Sequence, residues 1–139
     1  MRLMLVVVLF AFSSAAQACS FGAGRAGSFD IYFERGESTL NGLTGLLLDE
    51  VASQLAGCRV ILVVSGHRDA SEVGMLKGVR LDDIGQARAD SVRQWLQEKG
   101  FAPLDILVRD VDTDRPQVAT PPGAAEARNR RVELTVVSL

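Results

Sequence analysis

Apolar and polar positions change period several times along this chain, and each change marks an element. Phe29, Ile31 and Phe33 alternate with Asp30, Tyr32 and Glu34, the two-residue period of a half-buried strand. From Asn41 to Ala56 the period lengthens. Leu43, Leu47, Val51 and Leu55 recur at every fourth position, thickened by Leu40, Leu46 and Leu48, which predicts one face of an amphipathic helix stopped by Gly57. Val60 to Val64 is continuously apolar and mostly β-branched, the pattern of a strand buried on both faces. A long loop is expected over 65–80, around Gly66, Gly74 and Gly78, and long loops in compact domains are often functional.

A second helix opens at Asp82 and Asp83. Asp83 with Gln86 has the spacing of a capping box, Ile84, Ala87, Arg88, Val92, Trp95 and Leu96 lie on or near one stripe, and Gly100 ends the segment. Ile106 to Val111 predicts a third strand, and Pro116, Pro121 and Pro122 mark another loop. Val132, Leu134 and Val136 alternate with Arg131, Glu133 and Thr135 as a final strand. The order strand, helix, strand, helix, strand, loop, strand predicts an α+β fold, a mixed sheet with two helices on one face. Trp95 is read as a core residue.

The first 18 residues stand apart. Met1 and Arg2 give a positive start, Leu3 to Phe12 is almost wholly apolar, and Ala16-Gln17-Ala18 is a small-residue cleavage site. This is the layout of a secretory signal peptide, and the apolar run is shorter than the roughly 20 residues a membrane span needs. Residues 19–28 form a lead-in segment, and 29–139 the domain. Gly22 to Gly27 matches GxGxxG but follows a signal segment and precedes a strand, the wrong context for dinucleotide binding. In an exported chain, the two cysteines, Cys19 and Cys58, read as one disulfide. The alternatives are two free thiols or an acylated Cys19, a lipoprotein start, although Ala16 stands where a large aliphatic residue is usual.

Composition narrows the function classes. The chain has 139 residues, 47% hydrophobic and 23% charged, with a formal charge of −2, so one globular domain is expected and there is no basic footprint for nucleic acid. The two cysteines and single histidine fall short of a zinc set, and no cofactor is implied. Ser65, His67 and Asp69 stand too close in sequence to form a catalytic relay, so no catalytic residue is assigned.

Three segments fall in a suggestive order: Gly66-His67-Arg68-Asp69 after the most apolar strand, Arg88-Ala89 on the second helix, and Asn129-Arg130-Arg131-Val132 before the last strand. Together they resemble the OmpA-like peptidoglycan-binding domain, from about Phe29 to Val137. The resemblance implies a βαβαββ-type fold of the OmpA C-terminal kind. It also implies non-covalent binding of the diaminopimelate residue of the peptidoglycan stem peptide, with Asp69 and Arg88 as ligand contacts. A carboxylate suits the ammonium of that zwitterion, and a guanidinium can grip its carboxylate with a two-pronged bond. Asn129 and Arg130 are supporting residues; of Arg130 and Arg131, one is expected to pair with a carboxylate inside the fold. The implied location is the periplasm, with membrane attachment only through a lipidated Cys19. The chain departs from the family pattern at Arg68, Leu81 and Gly85, and Ala70 to Arg80 lengthens the spacing from Asp69 to Arg88. These departures support an alternative, a protein-interaction module with an envelope partner that has lost peptidoglycan binding.

Overall fold

The computed structural model describes residues 26–139. The signal segment 1–18, most of the lead-in and Cys19 lie outside the described residues. Strand β1 (Ala26–Tyr32) begins before Phe29, so Gly27 sits in a strand and opens no helix. Ile31 is buried from it, and Phe33 just beyond its end.

Helix α1 (Gly42–Leu55) starts where Asn41 caps it, its Oδ1 accepting the Thr44 N–H at 2.9 Å. Such a cap satisfies an N–H that the first turn leaves without a partner. The apolar face differs from the expected one. Leu48, Val51 and Leu55 are buried, whereas Leu43, Leu46 and Leu47 are 79%, 65% and 41% exposed. At about 100° per residue, a four-residue repeat drifts by about 40° each step. Leu43 therefore ends about 120° around the helix from Leu55, off the buried stripe.

Gly57, at φ +77°, turns the chain into β2 (Val60–His67). Here Val60, Leu62 and Val64 are buried, while Ile61 and Val63 are partly exposed. The strand thus has one inner face, and it continues through Gly66 and His67, residues expected in the loop. The remaining loop carries a small hairpin of β3 (Met75–Leu76) and β4 (Val79–Arg80). A 3-10 turn over Leu81–Asp83 leads into α2 (Ile84–Glu98). The expected capping box does not form: Asp83 makes no capping hydrogen bond and instead pairs with Arg80 at 3.2 Å. Trp95 packs partly buried against the core, with the Lys99 ammonium 4.5 Å from its ring.

Strands β5 (Ile106–Asp112) and β6 (Arg131–Ser138) complete the sheet. Its order is β1-β6-β2-β5, with β6 antiparallel to β1 and β2, and β2 parallel to β5. The parallel pair requires a crossover, which α2 supplies. Ile31, Leu62, Val64, Val132, Leu134 and Val136 from the sheet share one core with Leu48, Val51 and Leu55 of α1 and Ala89, Val92 and Leu96 of α2. This is the expected α+β arrangement.

One contact fixes where α2 begins. A Cβ at Gly66 would lie 1.9 Å from the Gly85 carbonyl oxygen, so only glycine lets β2 and α2 approach this closely. Arg88, one turn further along α2, is thereby set against the end of β2.

Candidate functional site

The end of β2, the start of α2, the chain after β1 and the entry to β6 meet at one corner, which buries three fully enclosed charged side chains, Asp69, Glu72 and Arg88. Arg88 is fully buried on α2. A guanidinium has five N–H donors, and here each finds an acceptor. Nε donates to the Glu37 carbonyl at 2.8 Å. Nη1 donates to the His67 carbonyl at 3.0 Å and to Glu72 Oε2 at 2.8 Å. Nη2 donates to the Glu34 carbonyl at 3.0 Å and to Glu72 Oε1 at 2.6 Å. The Phe33 ring lies 5.4 Å from the guanidinium carbon.

Glu72, also fully buried, completes a two-pronged pair. Oε1 additionally accepts the Gly36 N–H at 3.0 Å, and Oε2 the Asp69 N–H at 3.1 Å. Breaking such a buried pair from one side typically costs about 3–5 kcal/mol, because an uncompensated charge remains.

Asp69 is fully buried beside this pair. Its Oδ1 accepts from the Ser71 N–H at 2.9 Å and hydroxyl at 2.7 Å. Its Oδ2 accepts from the Glu126 N–H at 2.9 Å and from Arg130 Nη1 at 2.8 Å. Burial alone would raise the carboxyl pKa, but the bonds from Ser71, Glu126 and Arg130 outweigh it and hold the group below its ordinary value.

The two residues expected to contact ligand therefore share a corner, linked through Glu72 and the Asp69 backbone. The arrangement is not the expected open pocket between them. Arg88 and Asp69 are each saturated by intramolecular partners, and neither lines any of the surface cavities described. Both arginines at the entry to the last strand pair with carboxylates of the fold: Arg130 with Asp69 and Arg131 with Asp30 at 3.3 Å. Asn129 clamps the preceding loop, accepting from the Val118 N–H at 2.9 Å and donating to the Val118 carbonyl at 2.8 Å. Arg68 turns away from Asp69, pairing with Asp112 and donating to the Glu72 carbonyl at 2.8 Å.

Ser65, His67 and Asp69 form no relay. Both ring nitrogens of His67 are buried with no hydrogen-bond partner among the described residues. Burial chiefly, then the positive charges of Arg131 and Arg115 against an opposing Glu133, bring the His67 pKa down to about 4.

Nothing in the sequence pattern singles out Glu72, an acidic residue in a glycine-bearing loop, where no periodicity reports direction. The extra length of that loop is the available signal. Nor does the pattern mark a groove beside Arg130, enclosing about 380 Å³ and lined by Tyr32, Phe33, Glu34, Leu43 and Arg128 among others.

Fold and corner together define an α+β domain with buried carboxylate–guanidinium chemistry at the end of its central strand. The OmpA family model matches residues 32–130, and the chain belongs to the OmpA family. Outer membrane protein A of Bordetella avium is 30% identical over 111 residues, covering 78% of this chain and 54% of that protein, so the chain spans about half of this relative's length. Among solved structures, the cell wall anchor of the T6SS from Pseudomonas aeruginosa is similar at TM-score 0.68 and 24% identity, covering 82% of each chain. The peptidoglycan-associated lipoprotein from Burkholderia pseudomallei is similar at TM-score 0.63 and 23% identity, covering 77% of this chain and 88% of that one. The periplasmic domain of Helicobacter pylori MotB (residues 90–256) gives TM-score 0.67 and 17% identity, covering 84% of this chain and 75% of that one.

Proposed function

We propose that this domain is a non-enzymatic module of the bacterial cell envelope that binds peptidoglycan non-covalently through the diaminopimelate of the stem peptide. Its place of work is the periplasm or the periplasmic side of the outer membrane. The observation that carries this reading is the chemistry of the corner: it holds two buried carboxylates, each by four hydrogen bonds from N–H, guanidinium or hydroxyl donors. Donors that hold carboxylates this way suit the carboxylate end of a zwitterion, with Arg88 gripping it and Asp69 facing the ammonium once their internal partners are displaced. The groove beside Arg130 gives the rest of a peptide somewhere to lie. Family membership and the named wall-associated relatives support the same reading.

A specific observation favours a second reading, that of an interaction module without peptidoglycan affinity: every donor of Arg88 is already taken. Co-sedimentation with insoluble diaminopimelate-type peptidoglycan separates the two. The first reading expects the mature protein in the pellet, and expects Asp69→Asn and Arg88→Lys, checked for folding by circular dichroism, to stay in the supernatant. Wild-type protein that remains in the supernatant at every wall concentration, with an envelope protein recovered by crosslinking, overturns it in favour of the second.

A further inference from the structure

We propose that Glu72 is an internal ligand: its carboxylate fills a carboxylate-binding cradle and competes with any guest carboxylate for Arg88. The proposal rests on the wall-binding reading for the identity of the guest, but the cradle and its occupant are argued from geometry alone. The cradle consists of two Arg88 nitrogens and the N–H groups of Gly36 and Asp69, at 2.6–3.1 Å from the two Glu72 oxygens. Guanidinium plus convergent backbone N–H groups suits any carboxylate, whether from a side chain or a free amino acid. Arg88 is anchored independently of Glu72 by the carbonyls of Glu34, Glu37 and His67, which hold the guanidinium in place if the occupant changes.

The occupant arrives on a separate strap. Between Ala70 and Arg80, Glu72 is the one buried residue. The strap's hairpin pairs only with itself and adds nothing to the main sheet. Val73, Met75 and Val79 are exposed, and only Leu76 reaches inward to pack against Gly36. The strap is otherwise tied by polar bonds: Arg35 to the Ser71 hydroxyl and carbonyl at 3.2 and 3.1 Å, Arg68 to the Glu72 carbonyl, Ser71 to Asp69, and Gly74, whose carbonyl accepts the Leu81 N–H at 2.8 Å and whose N–H donates to Asp82 at 3.2 Å. A segment with few buried apolar contacts is the kind that opens locally without global unfolding. Withdrawing Glu72 would leave Arg88 facing a vacancy of carboxylate shape, which a guest must fill for the charge to stay paired. Apparent affinity for the guest is then reduced by the fraction of molecules with Glu72 in place.

The test uses the mature chain with Glu72→Ala and Glu72→Gln. Acetate and free meso-diaminopimelate are the probes, thermal unfolding one readout and binding of a diaminopimelate-containing muropeptide the other. Glu72→Ala is expected to melt lower than wild type, and acetate or diaminopimelate, but not equimolar chloride, to raise its midpoint saturably. Wild type is expected to respond only at concentrations roughly tenfold or more higher. Glu72→Gln, whose amide still fills the cradle, is expected to respond less. Muropeptide is expected to bind Glu72→Ala roughly tenfold or more tighter than wild type. Should Glu72→Ala fold only with acetate present, that too supports the proposal. If neither variant folds at any carboxylate concentration, or both fold and no carboxylate shifts them, Glu72 is a structural pillar and the proposal fails. Carboxylate rescue of Glu72→Ala with no muropeptide binding by any form retires the wall-binding reading and keeps the internal ligand. Wall binding unaffected by Glu72 substitution, without rescue, does the reverse.

Discussion

His67 is the residue whose burial has the clearest consequence for stability. Its imidazole is 1% exposed, its nitrogens lack partners among the described residues, and its pKa falls from 6.5 to about 4. The unfolded chain therefore binds a proton between these values that the folded domain refuses. Stability rises with pH wherever the unfolded state holds more protons. This contribution is complete above pH about 6.5 and fades as pH falls towards 4, by on the order of 2–3 kcal/mol. His67→Leu removes the titrating group and is expected to flatten that part of the stability curve, measured by urea denaturation at pH 4.5 and 7. Equal losses in both proteins would show that the acid sensitivity lies elsewhere. A single residue's environment of this kind was only partly legible in the sequence. Arg88 and Asp69 could be placed at one corner from their motifs, but a motif says nothing about occupancy. Their actual partners, Glu72 and Arg130, are fixed by a strap and a strand entry far apart in the chain.

Elements were easier to read than their orientation. The four strands of the main sheet and both helices follow from apolar patterning, because burying a face dictates the repeat, whereas the short β3–β4 hairpin carries no such pattern and falls in the segment expected as loop. Helix α1 shows where this fails: it is leucine-rich nearly all round, so composition does not choose between the drifting row from Leu43 to Leu55 and the tighter row of Leu48, Val51 and Leu55. Only the sheet opposite decides. The start of α2 is decided by glycine instead. The Gly66–Gly85 approach leaves no space for a side chain, and overpacking of this sort costs about 1–3 kcal/mol, occasionally more. Since the obstructing atom is backbone, Gly66→Ala is expected at or above the top of that range, with Arg88 displaced along with α2. Gly45, inside α1, meets nothing within 4 Å of a built Cβ. Gly45→Ala is therefore expected to stabilise the domain by about 0.5–1 kcal/mol. Chemical denaturation of the two variants beside wild type checks both signs, and a neutral Gly66→Ala would contradict the close helix–strand contact.

At the scale of the whole molecule, the described domain is built on a four-stranded sheet covered on one face, and the expected Cys19–Cys58 bond would add an attachment to it. Cys58 sits just after the Gly57 turn, partly buried and packed against the shared core, at the point where α1 gives way to the central strand. A bond from here to Cys19 would tie the segment before β1 to the hinge between α1 and β2. The closed loop of about 40 residues would restrict the unfolded chain enough to contribute about 3–4 kcal/mol. An exported protein meets the oxidising conditions under which such a bond persists, whereas acylation of Cys19 would forbid it. The two outcomes differ in several measurements on protein recovered from the envelope. With the disulfide, iodoacetamide labels neither cysteine until the protein is reduced, and reduction lowers the unfolding midpoint in urea. With a lipidated Cys19, the protein partitions into detergent and carries an N-terminal acyl mass. The disulfide reading expects the first pattern and is overturned by the second. That result also fixes how the domain would meet the wall: free to diffuse through the periplasm in the first case, held at the inner surface of the outer membrane in the second.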